Sequence, residues 1–243
     1  MVNMLCKNCN SELPADAKFC SHCGHPIQLK RIDKAYFFDE ISQIFNFEKG
    51  FLFTIKALFT SPVPNIKSFI TENRSRLVKP IPFLIICSVL YALASKFLGF
   101  DTSKVEVKTD DADMPNFTQI ISENYEYANI VFAVIVAFFV KLFFRKSTYN
   151  FFEIFVLQCY LSGAETLITM LTGIVQSIVK ADLIGYGMLV GFIYSIVFTA
   201  QFFEKRKPLS YIKALLARFI AFLAVSILTG IGVVLYYLLF KNR

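Results

Sequence analysis

Residues 80–98 read PIPFLIICSVLYALASKFL, a run in which Lys96 is the single charged side chain. A bilayer core of about 30 Å needs about 20 helical residues to cross it, so this stretch predicts a membrane span entered through Pro80 and Pro82. Four further runs repeat the pattern. The expected spans are 81–98, 128–144, 151–179, 183–203 and 214–240. The third is interrupted by Gln158, Ser162, Gly163 and Glu165 and is the least clean of the five. Composition agrees: hydrophobic residues make up 56% of the 243 and charged residues 18%, against about 45–50% and about 25% in an ordinary soluble chain. The expected fold is an all-α integral membrane bundle of about five helices.

The net charge of +7 follows from where Lys and Arg sit. They cluster before the first run, between the second and third (Lys141, Arg145, Lys146), and between the fourth and fifth (Lys205, Arg206, Lys207, Lys213). Residues 101–127 are acidic, with Asp110, Asp111 and Asp113 among them, and read as a solvated loop. Basic loops alternating with poor ones predict a cytoplasmic N-terminus and an outer C-terminus. Lys241 and Arg243 at the far end run against that pattern. This distribution argues for lipid headgroups, and against nucleic acid, as the basic partner.

Ahead of the spans, residues 6–27 read CKNCNSELPADAKFCSHCGHPI. Two C-x2-C pairs supply four soft ligands for a tetrahedral metal, and the residue after each pair, Asn10 or Gly24, suits a left-handed backbone. No apolar h-region follows Met1, so no cleavable signal peptide is expected, and the thiols face a reducing compartment. A disulfide pair and a redox C-x-x-C are the competing readings. The run closely resembles the short zinc-ribbon family found at the start of many bacterial membrane proteins. That resemblance implies Zn2+ as cofactor, with Cys6, Cys9, Cys20 and Cys23 as ligands. His22 and His25 then read as exposed residues of the second knuckle.

Between ribbon and bundle, Ile41, Ile44, Phe45, Phe51, Leu52, Ile55, Leu58 and Phe59 recur at helical spacing, with Lys49 and Lys56 on another face. An amphipathic helix of this kind lies in the membrane interface or packs on the cytoplasmic ends of the spans. Ser61-Pro62-Val63-Pro64 breaks it, and Asn65 can cap the next helix. Lys67, Arg74, Arg76 and Lys79 form a basic segment against the headgroups. The run 50–93, GFLFTIKALFTSPVPNIKSFITENRSRLVKPIPFLIICSVLYAL, resembles the core of an uncharacterised bacterial multi-span membrane-protein family. The likeness rests on Thr54, Leu58 and Pro62, then Asn73 and Arg74, then Pro80 and Phe83, and implies architecture without an activity. More weakly, five spans behind a cytoplasmic N-terminus resemble the topology of the Yip1 membrane-trafficking family. The expected domains are a ribbon at 1–29, a linker with amphipathic interfacial helices at 30–79, and a transmembrane domain at 80–243.

Within the spans, Glu165 stands out, because a carboxylate near mid-bilayer is expensive and faces the bundle interior or a wet cavity. Gln158 lies two turns earlier and Glu153 near the helix start, so the three together suggest a polar stripe. Arg218 is expected to snorkel. Gly185, Gly187 and Gly191, and likewise Gly230 and Gly232, read as small faces for helix packing. Both histidines of the chain lie in the ribbon, which excludes a Ser-His-Asp triad and an H-E-x-x-H site. No phosphate-binding G-x-x-x-x-G-K-[ST] loop is present. The expectation is therefore a non-enzymatic protein of the bacterial cytoplasmic membrane, a scaffold, adaptor or regulator. Its partners are the bilayer and a cytoplasmic protein held by the ribbon, and a homo-oligomer is compatible with the pattern. The alternative is a transporter subunit or an oligomeric pore or effector that alters permeability, with Glu165 in the path.

Overall fold

The computed structural model describes residues 4–14, 17–27, 50–100, 125–204 and 207–240, with the side chains of 125–127 and 233–240 set aside. The N-terminal half of the amphipathic stretch, the acidic loop with Asp110, Asp111 and Asp113, and Lys205, Arg206, Lys241 and Arg243 lie outside those residues. The chain divides into two compact units, Met1–Lys79 and Pro80–Arg243.

In the first unit, β1 (Met4–Leu5) pairs antiparallel with β2 (Glu12–Leu13), Met4 opposite Leu13. A single bridge joins Phe19 to Pro26. Cys6, Leu13 and Cys20 are buried, with Cys9 and Ile27 packed against them. Such a core is too small to hold a fold alone. Two short helices follow, α1 (Phe51–Thr60) and α2 (Pro62–Thr71). Pro62 and Pro64 start α2 rather than merely breaking α1, because the first N–H groups of a helix have no intrahelical partner to lose. Asn65 does not cap α2. It sits in the first turn, and its Nδ2 donates to Ala57 O (3.1 Å) and Ser61 O (2.7 Å), covering the open end of α1. On α1, Thr54, Ala57 and Leu58 are buried, and Thr54 Oγ1 accepts from Val78 N at 3.0 Å. The opposite face presents Leu52 (79% exposed), Phe53 and Phe59.

The elements of the second unit among its described residues are all helices: α3 (Pro80–Leu98), α4 (Tyr125–Phe143), α5 (Phe151–Val179), α6 (Ile184–Glu204) and α7 (Pro208–Phe240). Among the described residues, α3, α5, α6 and Pro208–Gly232 of α7 are long and apolar enough to cross a membrane, while α4 is a shorter apolar helix over Ala128–Phe143. The last helix starts at Pro208, six residues ahead of the apolar run, because hydropathy marks the lipid-immersed part of a helix and not its start.

The least clean run in the sequence forms the centre. α5 packs against α3, α4 and α6, and α7 closes the far side against α4 and α6. Every residue from Glu153 to Ala164 on α5 is buried. Small residues set the close approaches: a Cβ on Gly163 would overlap the Phe83 ring, and one on Gly187 would overlap Thr172. Ala214, Ala217 and Ala221 of α7 are buried in the same manner. Gly185, Gly230 and Gly232 have open space where a side chain would stand, so they form no packing face within this chain. Between α5 and α6, Lys180 turns the chain at φ 58°. There Gln176 Oε1 accepts from Leu183 N and Ile184 N, each at 2.8 Å, satisfying the start of α6.

Candidate functional site

The four N-terminal cysteines converge through two copies of one turn. Cys6 O accepts from Asn10 N (2.8 Å) and Cys6 N donates to Ser11 O (2.9 Å). Cys20 O accepts from Gly24 N (2.8 Å) and Cys20 N donates to His25 O (2.7 Å). Each turn needs a left-handed residue after its second cysteine, and Asn10 (φ 59°) and Gly24 (φ 71°) supply it. The sulfurs lie within 4.8 Å of one another, Cys6 to Cys23 at 3.6 Å and Cys9 to Cys20 at 3.7 Å. All four are free thiols, as a disulfide, with its S–S bond of about 2.05 Å, would not allow. A tetrahedron of sulfurs at about 2.3 Å from a central ion has edges of about 3.8 Å, so the cluster fits a metal.

The electrostatics point the same way. Hydrogen bonding from the Ser11 hydroxyl and the Cys23 backbone holds the Cys20 thiol down to about 5. Asn8 and the His25 backbone favour the Cys23 thiolate, but desolvation and the neighbouring Cys9 and Cys20 outweigh them and push it up to about 11. Four thiols this close cannot all ionise without a cation between them; a dication removes that conflict.

Residues 5–27 match the zinc-ribbon domain family, and residues 48–92 match a family described as "Protein of unknown function (DUF3667)". The N-terminal module is a zinc ribbon. A DUF3667 region follows it, spanning α1, α2 and the larger part of α3. No curated protein matches the chain, and no solved structure does, so the topological likeness to the Yip1 family gains no support.

The ribbon's histidines divide. His22 is exposed, but His25 is buried, against the expectation that both lie on the surface. Its Nε2 lies 3.0 Å from Glu72 O, just past the end of α2. The first knuckle reaches the same place: the Asn73 amide donates to Asn8 Oδ1 at 2.6 Å, and Lys7 sits 3.7 Å from Glu72 in an exposed pair. Asn73 is itself buried, its Oδ1 accepting from Ser75 N and Oγ. Both metal-site turns thus grip residues 72–73. Of the basic residues expected on the headgroups, Arg76 is exposed and stands over the Phe53 ring at 5.6 Å, while Lys67, Arg74 and Lys79 are half-buried.

In the bundle, the expected stripe of Glu153, Gln158 and Glu165 separates into three environments. Glu153 serves the start of α5: Asn150 N donates to its Oε2 (2.7 Å) while its own N donates to Asn150 Oδ1 (2.8 Å), a reciprocal cap. Gln158 is fully buried, its Nε2 3.4 Å from Thr199 Oγ1. Glu165 receives Ser195 Oγ at 3.0 Å and an ion pair from Arg218 of α7. Arg218 does not snorkel. It is 3% exposed, and its guanidinium stands 5.5 and 5.7 Å from the ring centres of Phe132 on α4 and Phe192 on α6. Gly191 makes room for the carboxylate, since a Cβ there would stand 2.7 Å from Glu165 Cγ. One signal in the sequence pointed to the pair. Away from the helix ends, Glu165 and Arg218 are charges of opposite sign in otherwise apolar runs, and buried charges are paired.

Proposed function

We propose that the chain is a non-enzymatic adaptor of the bacterial cytoplasmic membrane, in which a zinc-loaded ribbon on the cytoplasmic side offers a docking surface to a protein partner. The single observation that carries this reading is the use of both metal-site turns to fasten the ribbon to residues 72–73. Four thiolates close the coordination of a structural zinc and leave no position for a reacting water. The metal then folds a module, and the module's remaining surface is free for recognition. That surface carries Leu5 (60% exposed) and Phe19 (64% exposed), apolar side chains open to a partner. Alternating basic loops support the cytoplasmic side for the N-terminus. The Leu52, Phe53 and Phe59 face of α1, with Arg76 beside it, suits the lipid interface.

Site-specific photo-cross-linking in living bacterial cells tests it. A cross-linker at position 5 or 19 is expected to capture one discrete protein, and the adduct disappears when Cys6→Ser and Cys20→Ser remove the metal. Adducts that are diffuse, or unchanged by loss of the metal, would remove the adaptor reading.

A further inference from the structure

The ion pair of Glu165 and Arg218 stands on the wall of a cavity of about 650 Å3, a volume within the usual range of small-molecule sites. Two donors on that wall are unspent. Arg218 Nε and Ser162 Oγ are buried and have no hydrogen-bond partner, and both residues are 3% exposed. A guanidinium has five N–H donors. Here Nη2 meets Glu165 and the Phe132 and Phe192 rings stand beside the guanidinium, so Nε is the donor that remains for a ligand. Leaving such donors unmet costs about 1–3 kcal/mol each, which an acceptor in the cavity would recover. Nearby, Asn129 Nδ2 donates to Ser88 Oγ (3.0 Å) and Thr166 Oγ1 (3.1 Å), fixing that part of the wall.

Apart from Tyr91 and Thr169, the remainder of the lining is apolar. Leu189 on α6 and Phe219 and Phe222 on α7 line the cavity, and each is more than half exposed. The opening therefore lies between α6 and α7, toward the hydrocarbon. Water would satisfy the donors but would wet this apolar side. A cation finds no vacant carboxylate, because Arg218 and Ser195 already hold Glu165.

We propose that the cavity binds an amphiphile bearing one anionic headgroup on an acyl chain, with the headgroup against Arg218 and Ser162 and the chain leaving between α6 and α7. Two sources share that chemistry, a free fatty acid and an anionic phospholipid.

The test uses the full chain in phosphatidylcholine nanodiscs, with radiolabelled palmitate as the probe and hexadecanol, palmitate and phosphatidic acid as competitors. One saturable palmitate per chain is expected, displaced by palmitate and phosphatidic acid but not by hexadecanol. Stronger competition by phosphatidic acid assigns the phospholipid as the natural source, and stronger competition by palmitate assigns the free acid. Arg218→Gln alone orphans Glu165, so the paired variant Arg218→Gln/Glu165→Gln is used, with at least tenfold weaker binding expected. Gly185→Phe supplies an independent check: Gly185 lines the cavity with open space at its Cβ, so a side chain added there takes up room in the site. Its melting temperature should match wild type while binding is lost. Equal displacement by hexadecanol, or wild-type binding in the paired variant and in Gly185→Phe, would overturn the proposal.

Discussion

The ribbon's thiol cluster and the Glu165–Arg218 pair are both polar clusters in an apolar setting, and they are assembled in opposite ways. The thiols come from 18 consecutive residues, Cys6 to Cys23, brought together by two repeated turns with local bonds such as Asn10 N to Cys6 O. The ion pair joins residues 53 apart in the chain, held in place by aromatic rings from two further helices. A metal site can be encoded by spacing, because its ligands share one turn geometry. A buried ion pair is encoded by the packing of whole helices, so it stands or falls with the bundle. Independent perturbation of the two is the way to test that contrast.

The largest effect is expected at the ribbon. Metal removal by a chelator, or Cys20→Ser, should abolish folding of residues 4–27, since structural zinc supplies on the order of 10–16 kcal/mol of apparent binding free energy in comparable peptides. Acidification should act in the same direction. Zinc binding requires thiolates, so affinity falls as pH falls, and below about 5 the Cys20 thiol too is protonated. Metal content and limited proteolysis report the loss. The helicity of the bundle should be unchanged; its collapse on zinc removal would break the contrast.

Next comes Arg218→Ala, which leaves the Glu165 carboxylate without its partner. The expected cost is about 3 kcal/mol, the low end for a broken buried pair because Glu165 remains 24% exposed. Unfolding in denaturing detergent measures it. The double variant with Glu165→Gln should recover a large part of that loss, and a strictly additive double variant would show that the two residues do not interact. Zinc content should stay at the wild-type level.

Gly191→Ala should be smaller, about 1–3 kcal/mol, as an added Cβ 2.7 Å from Glu165 Cγ forces the carboxylate off its seat. Gly185→Ala, one helical face away and meeting open space, should stay within about 0.5 kcal/mol of wild type. Equal effects at the two glycines would mean that Glu165 is not held where the packing puts it.

The helices themselves show how far hydropathy reaches. The best window of α7 has a mean hydropathy of 2.2 and is 22% buried, while that of α5 has 1.5 and is 78% buried. In lipid, an apolar side chain gains nothing by turning inward, so the greasiest helix lies outermost. Polar residues that made the third run look doubtful mark it as the centre, because Gln158 and Glu165 find partners on other helices. An average over one window contains no partner, and for that reason it places this helix, level with α6, below α3 and α7.

His25 gives the same lesson at small scale. Four cysteines complete a metal site, so the sequence leaves the histidine without a task, and only the fold brings Glu72 O to its ring. What the sequence determined by itself was local: two C-x2-C turns with Asn10 and Gly24 behind them, and apolar runs long enough to demand helices in lipid. What the tertiary structure decided was which distant groups meet: Arg218 with Glu165, both knuckles with residues 72–73, and α5 at the centre. The physical reason is the range of the forces. Turn geometry and hydrophobic length act along the chain, whereas ion pairs and side-chain hydrogen bonds need two surfaces that only packing brings within reach.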